Sequence, residues 1–159
     1  MKIGFSCKDE KTEKLLRKPL TSIIAEILKD PVFKSVPKNS YLSITIVDNK
    51  EIKELNKVYR NIDEPTDVLS FSFKEALPKA FLLGEIILSQ EMVIENAQKY
   101  GLSVGEETLK LIIHGLLHLI DYDHETIEEE KEMKYHENRL MELFKDKTKL
   151  LEFDEELLN

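Results

Sequence analysis

The apolar run at residues 111–120 constrains the fold more than any other feature of this 159-residue chain, because its only polar side chains are His114 and His118. Ten residues are about half of the roughly 20 that a helix needs to cross a bilayer, so the run predicts a helix buried inside a folded domain. Ser103 and Glu106 have the spacing of a capping box and predict where that helix begins. The rest of the chain is therefore expected to fold around one central helix that ends near residue 120.

Alternating and amphipathic patterns predict an α+β fold in one domain, residues 1–159. Strands are predicted at residues 2–6, 40–47, 67–73 and 81–88, and further helices at residues 19–28, 48–60, 89–100 and 126–144. Pro19 predicts a helix start, because proline fits only the first turn. The second helix is expected to bury Ile52, Leu55 and either Val58 or Tyr59. The sequence thus predicts about a four-stranded mixed sheet packed with about five helices, and from residue 145 a short helix or a frayed tail.

Charge and cysteine content exclude several classes of protein. The net charge of -8 arises in residues 111–159, which hold 6 Lys+Arg and 14 Asp+Glu, whereas residues 1–110 hold 17 of each. The acidic balance argues against non-specific nucleic-acid binding, but the neutral first part leaves room for a local basic groove. Cys7 is the single cysteine, and the N-terminus carries no cleavable signal, so we expect a cytoplasmic protein. Membrane, disulfide-rich secreted and fibrous classes are excluded.

Three of the four histidines fall within residues 114–124, at His114, His118 and His124. Residues four apart on a helix lie on one face, so the first two imidazoles can reach the same Zn²⁺ ion. The third must arrive after a turn, and Asp121 suits such a turn because aspartate tolerates left-handed backbone. Three neutral ligands leave a fourth position for water, which is typical of catalytic zinc, and the metal would lower the pKa of that water to about 7.

Other interpretations of these residues remain open. The two helical histidines could simply be hydrogen-bonded inside a buried helix, although two unpaired buried imidazoles would be costly. Zinc peptidases with the motif His-Glu-x-x-His use the glutamate as general base, and Gly115 stands at that position, which disfavours peptide hydrolysis. His136 lies on a helical stripe with Met133 and Leu140, so a core-edge role is favoured over a fourth ligand.

Residues 114–124 resemble the YbeY family, whose pattern is His-Gly-x-Leu-His-Leu-x-Gly-Tyr-Asp-His. The chain departs from it at Asp121, where the family usually has glycine, which affects only the conformation of the turn. Residues 55–71 are similar to the family signature Leu-Asn-x-x-Tyr-Arg…Asp-x-Pro-Thr-Asp-Val-Leu-Ser-Phe, and residues 83–86 to Leu-Gly-Asp-Ile with Glu85 in place of the aspartate. The resemblance implies a zincin-like fold, one zinc ion and a single-stranded RNA substrate. It also implies maturation of the small-subunit rRNA 3′ end, ribosome quality control, and ribosomal subunits or ribosome-associated proteins as partners.

Arg60 matches the arginine of the family signature, and a guanidinium suits a phosphodiester because its planar donors pair with two phosphate oxygens. Its position alone is equally consistent with a helix C-terminal arginine that interacts with the helix dipole. Four further candidates are expected to bind substrate or to orient a metal ligand. They are Asp67, Ser70, Glu85 and Asp123.

The sequence therefore predicts a zinc-dependent endoribonuclease in which His114, His118 and His124 hold the metal and Arg60 stabilises negative charge on the phosphate. A zinc peptidase or another metallohydrolase is the first alternative. The second, from a different class, is a ribosome-associated binding factor in which zinc is structural.

Overall fold

The structure, a computed structural model, describes residues 1–72 and 82–153. Its strands are β1 (Lys2–Cys7), β2 (Tyr41–Val47), β3 (Val68–Ser72) and β4 (Leu82–Ser89). Its α-helices are α1 (Glu10–Ile27), α2 (Asn49–Arg60), α3 (Gln90–Tyr100), α4 (Val104–Leu119) and α5 (Ile127–Phe144). Two short 3-10 helices, Pro31–Phe33 and Lys145–Leu151, complete the described elements. The predicted strand residues Phe73 and Phe81 lie outside the described residues.

The four strands form one mixed sheet in the order β1-β2-β4-β3. β1, β2 and β4 run parallel, and β3 pairs antiparallel with β4 at the sheet edge. Gly84 in β4 has a φ of 153°, and a Cβ there would stand 2.3 Å from the carbonyl oxygen of Phe71. Glycine is required at this point, because no larger residue would let the edge strand approach β4. The predicted α+β fold with a four-stranded mixed sheet and five helices is confirmed.

Helix α4 is the central helix that the sequence predicts. A capping box of Ser103 and Glu106 begins it, and its leucines and isoleucines at 111–113, 116, 117 and 119 are at most 5% exposed. It packs on the sheet face that carries Ile44, Ile86 and Leu88, within the larger of two hydrophobic clusters. Across residues 1–72 and 82–153, no helix has the length and apolar character that a membrane crossing demands.

Helix α1 begins at Glu10, nine residues before the predicted start, so that prediction was wrong. Asp9 caps the helix by accepting a hydrogen bond from the backbone N–H of Thr12, and Pro19 lies inside it. The buried residues Leu16, Leu20, Ile23, Ile24 and Ile27 form one stripe that runs across Pro19. Burial of this stripe offsets the backbone hydrogen bond that proline cannot donate.

Helix α2 covers the other face of the sheet at its β3 edge. As predicted, Asp48 caps it, but only Ile52 and Asn56 are fully buried, and Leu55 is half-buried. Val58 and Tyr59 are 73% and 65% exposed, so the prediction that one of them joins the buried stripe was wrong. The underlying cluster is small, since it holds four buried residues, and it does not extend under the last turn of α2. That last turn, which includes Arg60, is therefore presented to solvent.

Candidate active site

A cleft of about 650 Å³ opens between the end of α2, strand β3 and the C-terminal end of α4. Two regions meet there that are far apart in the sequence: residues 60–72, and residues 114–125, which comprise the last turns of α4 and the loop that follows it. The side chains that line it are Arg60, Thr66, Asp67, Val68, Ser70, Ser72, His114, His118, Leu119, Asp123, His124 and Glu125. All of the predicted site residues except Glu85 thus border one cavity.

Helix α4 supplies two of the predicted ligands. His114 and His118 lie one turn apart, with ring centroids 4.5 Å apart and their Nε2 atoms 3.1 Å apart. Burial lowers the pKa of His118, and the nearby His114 and His124 lower it further, so the neutral imidazole is favoured. A neutral imidazole is the form that binds a metal ion.

The turn after α4 brings the third histidine back to the first two. Asp121 adopts the left-handed conformation with a φ of 74°, as its position in the motif predicts. The His124 ring lies 5.5 Å from the His118 ring and 6.2 Å from the His114 ring, measured between centroids. Asp123 contacts His124 twice, because its Oδ1 accepts the backbone N–H at 2.7 Å and lies 3.3 Å from Nδ1. Asp123 is thus positioned to orient His124, as one of the sequence predictions has it.

The three imidazoles have the chemistry of a metal site. Two nitrogens bound to one tetrahedral zinc ion stand about 3.4 Å apart, and the 3.1 Å between Nε2 of His114 and Nε2 of His118 comes close to this separation. Among the residues that the structure describes, no three His, Cys, Asp or Glu side chains are already gathered around one ion position. His124 is the most exposed of the three histidines, since its side chain is 61% exposed. The donor chemistry fits a zinc ion, since two Nε2 atoms lie 3.1 Å apart and a third imidazole lies beside them in the same cleft.

Glu137 is a site residue that the sequence did not reveal. It projects from α5, and its Oε1 lies 3.4 Å from Nδ1 of His114. A carboxylate at Nδ1 favours the tautomer that keeps the Nε2 lone pair for a metal, which is the usual arrangement behind zinc-binding histidines. The two residues are 23 positions apart on different helices, so no local spacing could have predicted the contact.

Arg60 ends helix α2 and reaches across to β3. Its Nη2 donates a 3.3 Å hydrogen bond to the carbonyl oxygen of Ser70, and its guanidinium carbon lies 6.0 Å from the centre of the Phe71 ring. The helix ends because Asn61 adopts the left-handed conformation, and the buried Asn56 side chain holds the following loop through the carbonyl oxygen of Glu64. These local contacts fix the point at which the arginine enters the cleft.

The remaining predicted candidates differ in position. Ser70 faces the cleft on the α4 side of β3, and Asp67 borders the cleft while Asn96 donates a 3.2 Å hydrogen bond to its Oδ2. Glu85 does not join them. It accepts a 3.3 Å hydrogen bond from Thr45, and strand alternation places it on the α2 face of the sheet with Ile87. Its side chain therefore lies across the sheet from the histidines of α4.

Gly115 fits a tight contact between α4 and the sheet. A Cβ at this position would stand 2.9 Å from Cδ1 of Ile86 and 3.0 Å from Oγ of Ser70. Even alanine would be crowded, and a larger side chain would require Ile86 and Ser70 to shift. The general base of His-Glu-x-x-His peptidases is therefore absent from the sequence and also sterically disfavoured here.

His136 lies away from the cleft, in agreement with its predicted core-edge position. It is half-buried between the rings of Tyr122 and Tyr135, with centroid distances of 5.2 and 5.1 Å. Arg139 stands beside it and forms a two-pronged ion pair with Asp30, with N–O distances of 2.7 and 2.9 Å. These residues tie α5 to the loop after α1.

Comparison with known proteins agrees with these features. The family profile described as Endoribonuclease YbeY matches residues 5–145. The chain is 40% identical to Endoribonuclease YbeY of Sulfurihydrogenibium sp. (strain YO3AOP1), with 80% of this chain and 89% of that protein covered. It is 45% identical to Endoribonuclease YbeY of Aquifex aeolicus (strain VF5) over 65% of this chain and 69% of that protein. The solution structure of TM1509 from Thermotoga maritima matches with a TM-score of 0.53 at 28% identity, covering 91% of this chain and 92% of that chain.

Proposed function

The chain belongs to the YbeY family of endoribonucleases, which are hydrolytic RNA-cleaving enzymes, and from this premise we propose that it is a zinc-dependent, single-strand-specific endoribonuclease. The proposed role is ribosomal RNA processing at the small-subunit 3′ end and ribosome quality control, with residues 1–159 acting as one hydrolase domain. Ribosomal subunits or ribosome-associated proteins are the proposed partners, and the cytoplasm is the proposed location.

One observation carries the proposal, namely that a single cleft gathers a guanidinium and three imidazoles. Arg60 arrives from α2, His114 and His118 from α4, and His124 from the loop after α4. A phosphodiester needs positive charge around its oxygens while negative charge builds up in the transition state. The cleft offers that charge from Arg60 on one side and donors for a cation on the other.

His114, His118 and His124 would hold the zinc ion. When bound, such an ion supplies Lewis acidity, which lowers the pKa of water and offsets the charge on phosphate oxygens. The protein's own contribution is orientation. Glu137 accepts a hydrogen bond from Nδ1 of His114, and Oδ1 of Asp123 lies 3.3 Å from Nδ1 of His124, so in each ring Nε2 is the nitrogen that would be free to bind the ion.

Arg60 is proposed to bind the scissile phosphate through its guanidinium group. Its bond to the carbonyl oxygen of Ser70 uses one of the five guanidinium N–H groups, and the planar fork can pair with two phosphate oxygens. The contact with Phe71 and the defined end of α2 restrict the rotamers of the side chain. A restricted guanidinium loses less entropy when the phosphate binds.

Peptide hydrolysis, the first alternative, loses support from the contact between α4 and the sheet. The position of the peptidase base is Gly115, and Ile86 and Ser70 occupy the space that a side chain would need. Hydrolysis of RNA does not require a carboxylate at this place, since a metal ion and Arg60 can supply charge stabilisation.

The decisive experiment compares wild type, Arg60→Ala and Arg60→Lys for zinc content and for cleavage of single-stranded RNA. We expect zinc content to be unchanged in all three and cleavage to fall about 100- to 1,000-fold in Arg60→Ala, since loss of one charge-stabilising donor has an effect of that size. Arg60→Lys keeps the charge but not the planar fork, and we expect intermediate activity. Undiminished cleavage by Arg60→Ala would refute the role of this residue.

Two further measurements distinguish the nuclease from the peptidase and from the ribosome-associated binding factor. Cleavage of peptides but not RNA by the zinc-loaded protein would favour the peptidase. A ribosome-associated binding factor with structural zinc predicts that His114→Ala lowers stability but leaves binding to ribosomal subunits intact, with no RNA cleavage by wild type. The proposed nuclease predicts that wild type cleaves RNA and that His114→Ala loses both zinc and cleavage.

A further inference from the structure

Helix α2 carries three lysines that the proposed mechanism does not use, in one row with Arg60. Lys50, Lys53, Lys57 and Arg60 follow one another at spacings of three, four and three residues, which places them on one face of the helix. All four residues are exposed. From the first to the last the row extends about 15 Å, at 1.5 Å per residue. We refer to Lys50, Lys53 and Lys57 as the basic ridge.

The basic ridge leads into the cleft. Its continuation, Arg60, is a cleft residue, while Glu51 and Glu54 flank the ridge on the side of the helix turned away from Arg60. Lys53 lies 4.0 Å from Asp63, and both side chains are about half exposed or more. Such an exposed pair is weak, so a phosphate group can replace the carboxylate at little cost.

Two aromatic rings lie close to Arg60 at the end of α2. Tyr59 is 65% exposed, and its ring centre lies 5.2 Å from that of Phe71 on β3. Exposed aromatic rings beside cations are the usual platform for unpaired nucleobases, which stack on them without regard to sequence. A duplex cannot use such a platform, because its bases are already stacked.

The opposite wall of the cleft is acidic. Asp123 and Glu125 line it, and Glu128, Glu129 and Glu130 follow a few residues later in the first turn of α5, outside the cleft itself. A phosphate chain that approached from this side would meet repulsion. The charge difference between the two walls therefore leaves α2 as the favourable side of entry for a polyanion.

We propose that the basic ridge, together with Tyr59 and Phe71, binds the stretch of single-stranded RNA that lies outside the cleft and leads the strand to Arg60. This inference rests on the proposed function, since it takes RNA as the substrate. The lysines neutralise backbone phosphates, and the two rings hold bases in place. The ridge thereby adds affinity for strands that extend beyond the scissile phosphate.

The test measures binding of a single-stranded oligouridine as a function of salt. The variant Lys53→Gln/Lys57→Gln removes two ridge charges four residues apart. Its matched control, Lys14→Gln/Lys18→Gln, removes two exposed charges at the same spacing on α1, a helix that contributes no residue to the cleft. Loss of two phosphate contacts should lower the slope of log K against log salt concentration by about 1.4 and weaken binding on the order of tenfold near 0.1 M salt. The control should match wild type.

Each outcome of this experiment either supports or refutes binding of RNA by the basic ridge. A smaller salt slope and weaker binding in the ridge variant alone support the basic ridge. If wild type binds and cleaves RNA while both double variants bind alike, the ridge is refuted and the proposed function stands. If wild type neither binds nor cleaves RNA, the proposed function fails and the ridge fails with it. Circular dichroism of both variants shows whether they remain folded, and Tyr59→Ala, which keeps all ridge charges, should weaken binding without changing the slope.

Discussion

Replacement of Glu137 tests how the protein prepares His114 for a metal ion. Helix α5 places the Glu137 carboxylate 3.4 Å from Nδ1 of His114, and the two side chains are only 22% and 32% exposed. Partial burial limits the screening of this contact by water. The carboxylate therefore favours a proton on Nδ1 and leaves the Nε2 lone pair facing His118, which is where a zinc ion would be shared.

The expected loss of zinc affinity on replacement of Glu137 follows from the distance between its carboxylate and His114. Removal of a carboxylate behind a metal-binding histidine typically costs 10- to 100-fold in metal affinity. Because 3.4 Å is long for an N–H···O hydrogen bond, we expect the lower end, about tenfold for Glu137→Ala, or about 1.4 kcal/mol. Glu137→Gln keeps an oxygen acceptor without the charge and should lose about threefold.

The assay is a competition titration in which each variant and a chromophoric chelator share a limited amount of zinc. Glu142→Ala is the matched control, because it removes an exposed carboxylate from the same helix and should leave zinc affinity unchanged. Thermal unfolding of the metal-free proteins reports whether α5 remains packed. If folded Glu137→Ala binds zinc as tightly as wild type does, the positioning role is refuted, and if wild type binds no zinc the three-histidine proposal fails as well.

Two further predictions concern stability. Arg139→Ala leaves Asp30, whose side chain is 8% exposed, without its two-pronged partner and should lower the free energy of unfolding in urea by about 3 kcal/mol. The hydrogen bond from Arg139 lowers the pKa of Asp30, so this stabilisation is fully present above the ordinary carboxyl pKa of about 4 and is lost as the pH falls through the lower folded value. An acid-unfolding curve of the variant that is as steep below pH 4 as that of wild type would contradict this. Asp121, with its φ of 74°, should tolerate Asp121→Gly with a change under about 1 kcal/mol, whereas Asp121→Val should be less stable than the glycine variant by about 1–2 kcal/mol. Equal melting temperatures of these two variants would refute the left-handed conformation.

The starts of α2, α3, α4 and α5 were predictable because capping is local; the start of α1 was missed, although Asp9 caps it in the same way. Asp48, Ser89 and Thr126 each accept a hydrogen bond from the backbone N–H three residues later, and Ser103 does so within a full capping box. A cap involves only a few consecutive residues, so sequence spacing carries nearly all of the information. The same is true of the left-handed turn at Asp121, which is a property of one residue and its place in the motif.

Sequence patterns failed where distant packing decided the outcome. Pro19 is a poor interior residue by local preference, yet five buried residues on both sides of it keep α1 continuous. The apolar spacing of α2 includes Val58 and Tyr59, but the small cluster beneath α2 does not reach them. In both cases the apolar area that the rest of the fold covers decides which residues are buried. This area cannot be read from a short stretch of sequence.

The same distinction applies to the residues of the cleft: some of their positions follow from local sequence, and others depend on packing between distant elements. The three histidines lie within eleven residues, so their meeting follows from helix spacing and one turn. Their orientation does not, because Glu137 reaches His114 from α5. Asp67 likewise depends on Asn96 of α3 for its position, across 29 residues. A chain that kept the histidine motif but shifted α5 would keep its candidate ligands and lose the carboxylate that orients one of them. The packing of α5 on α4 therefore bears directly on the proposed chemistry, and for that reason zinc affinity in the Glu137 variants is a sharper test of the site than a search for the motif itself.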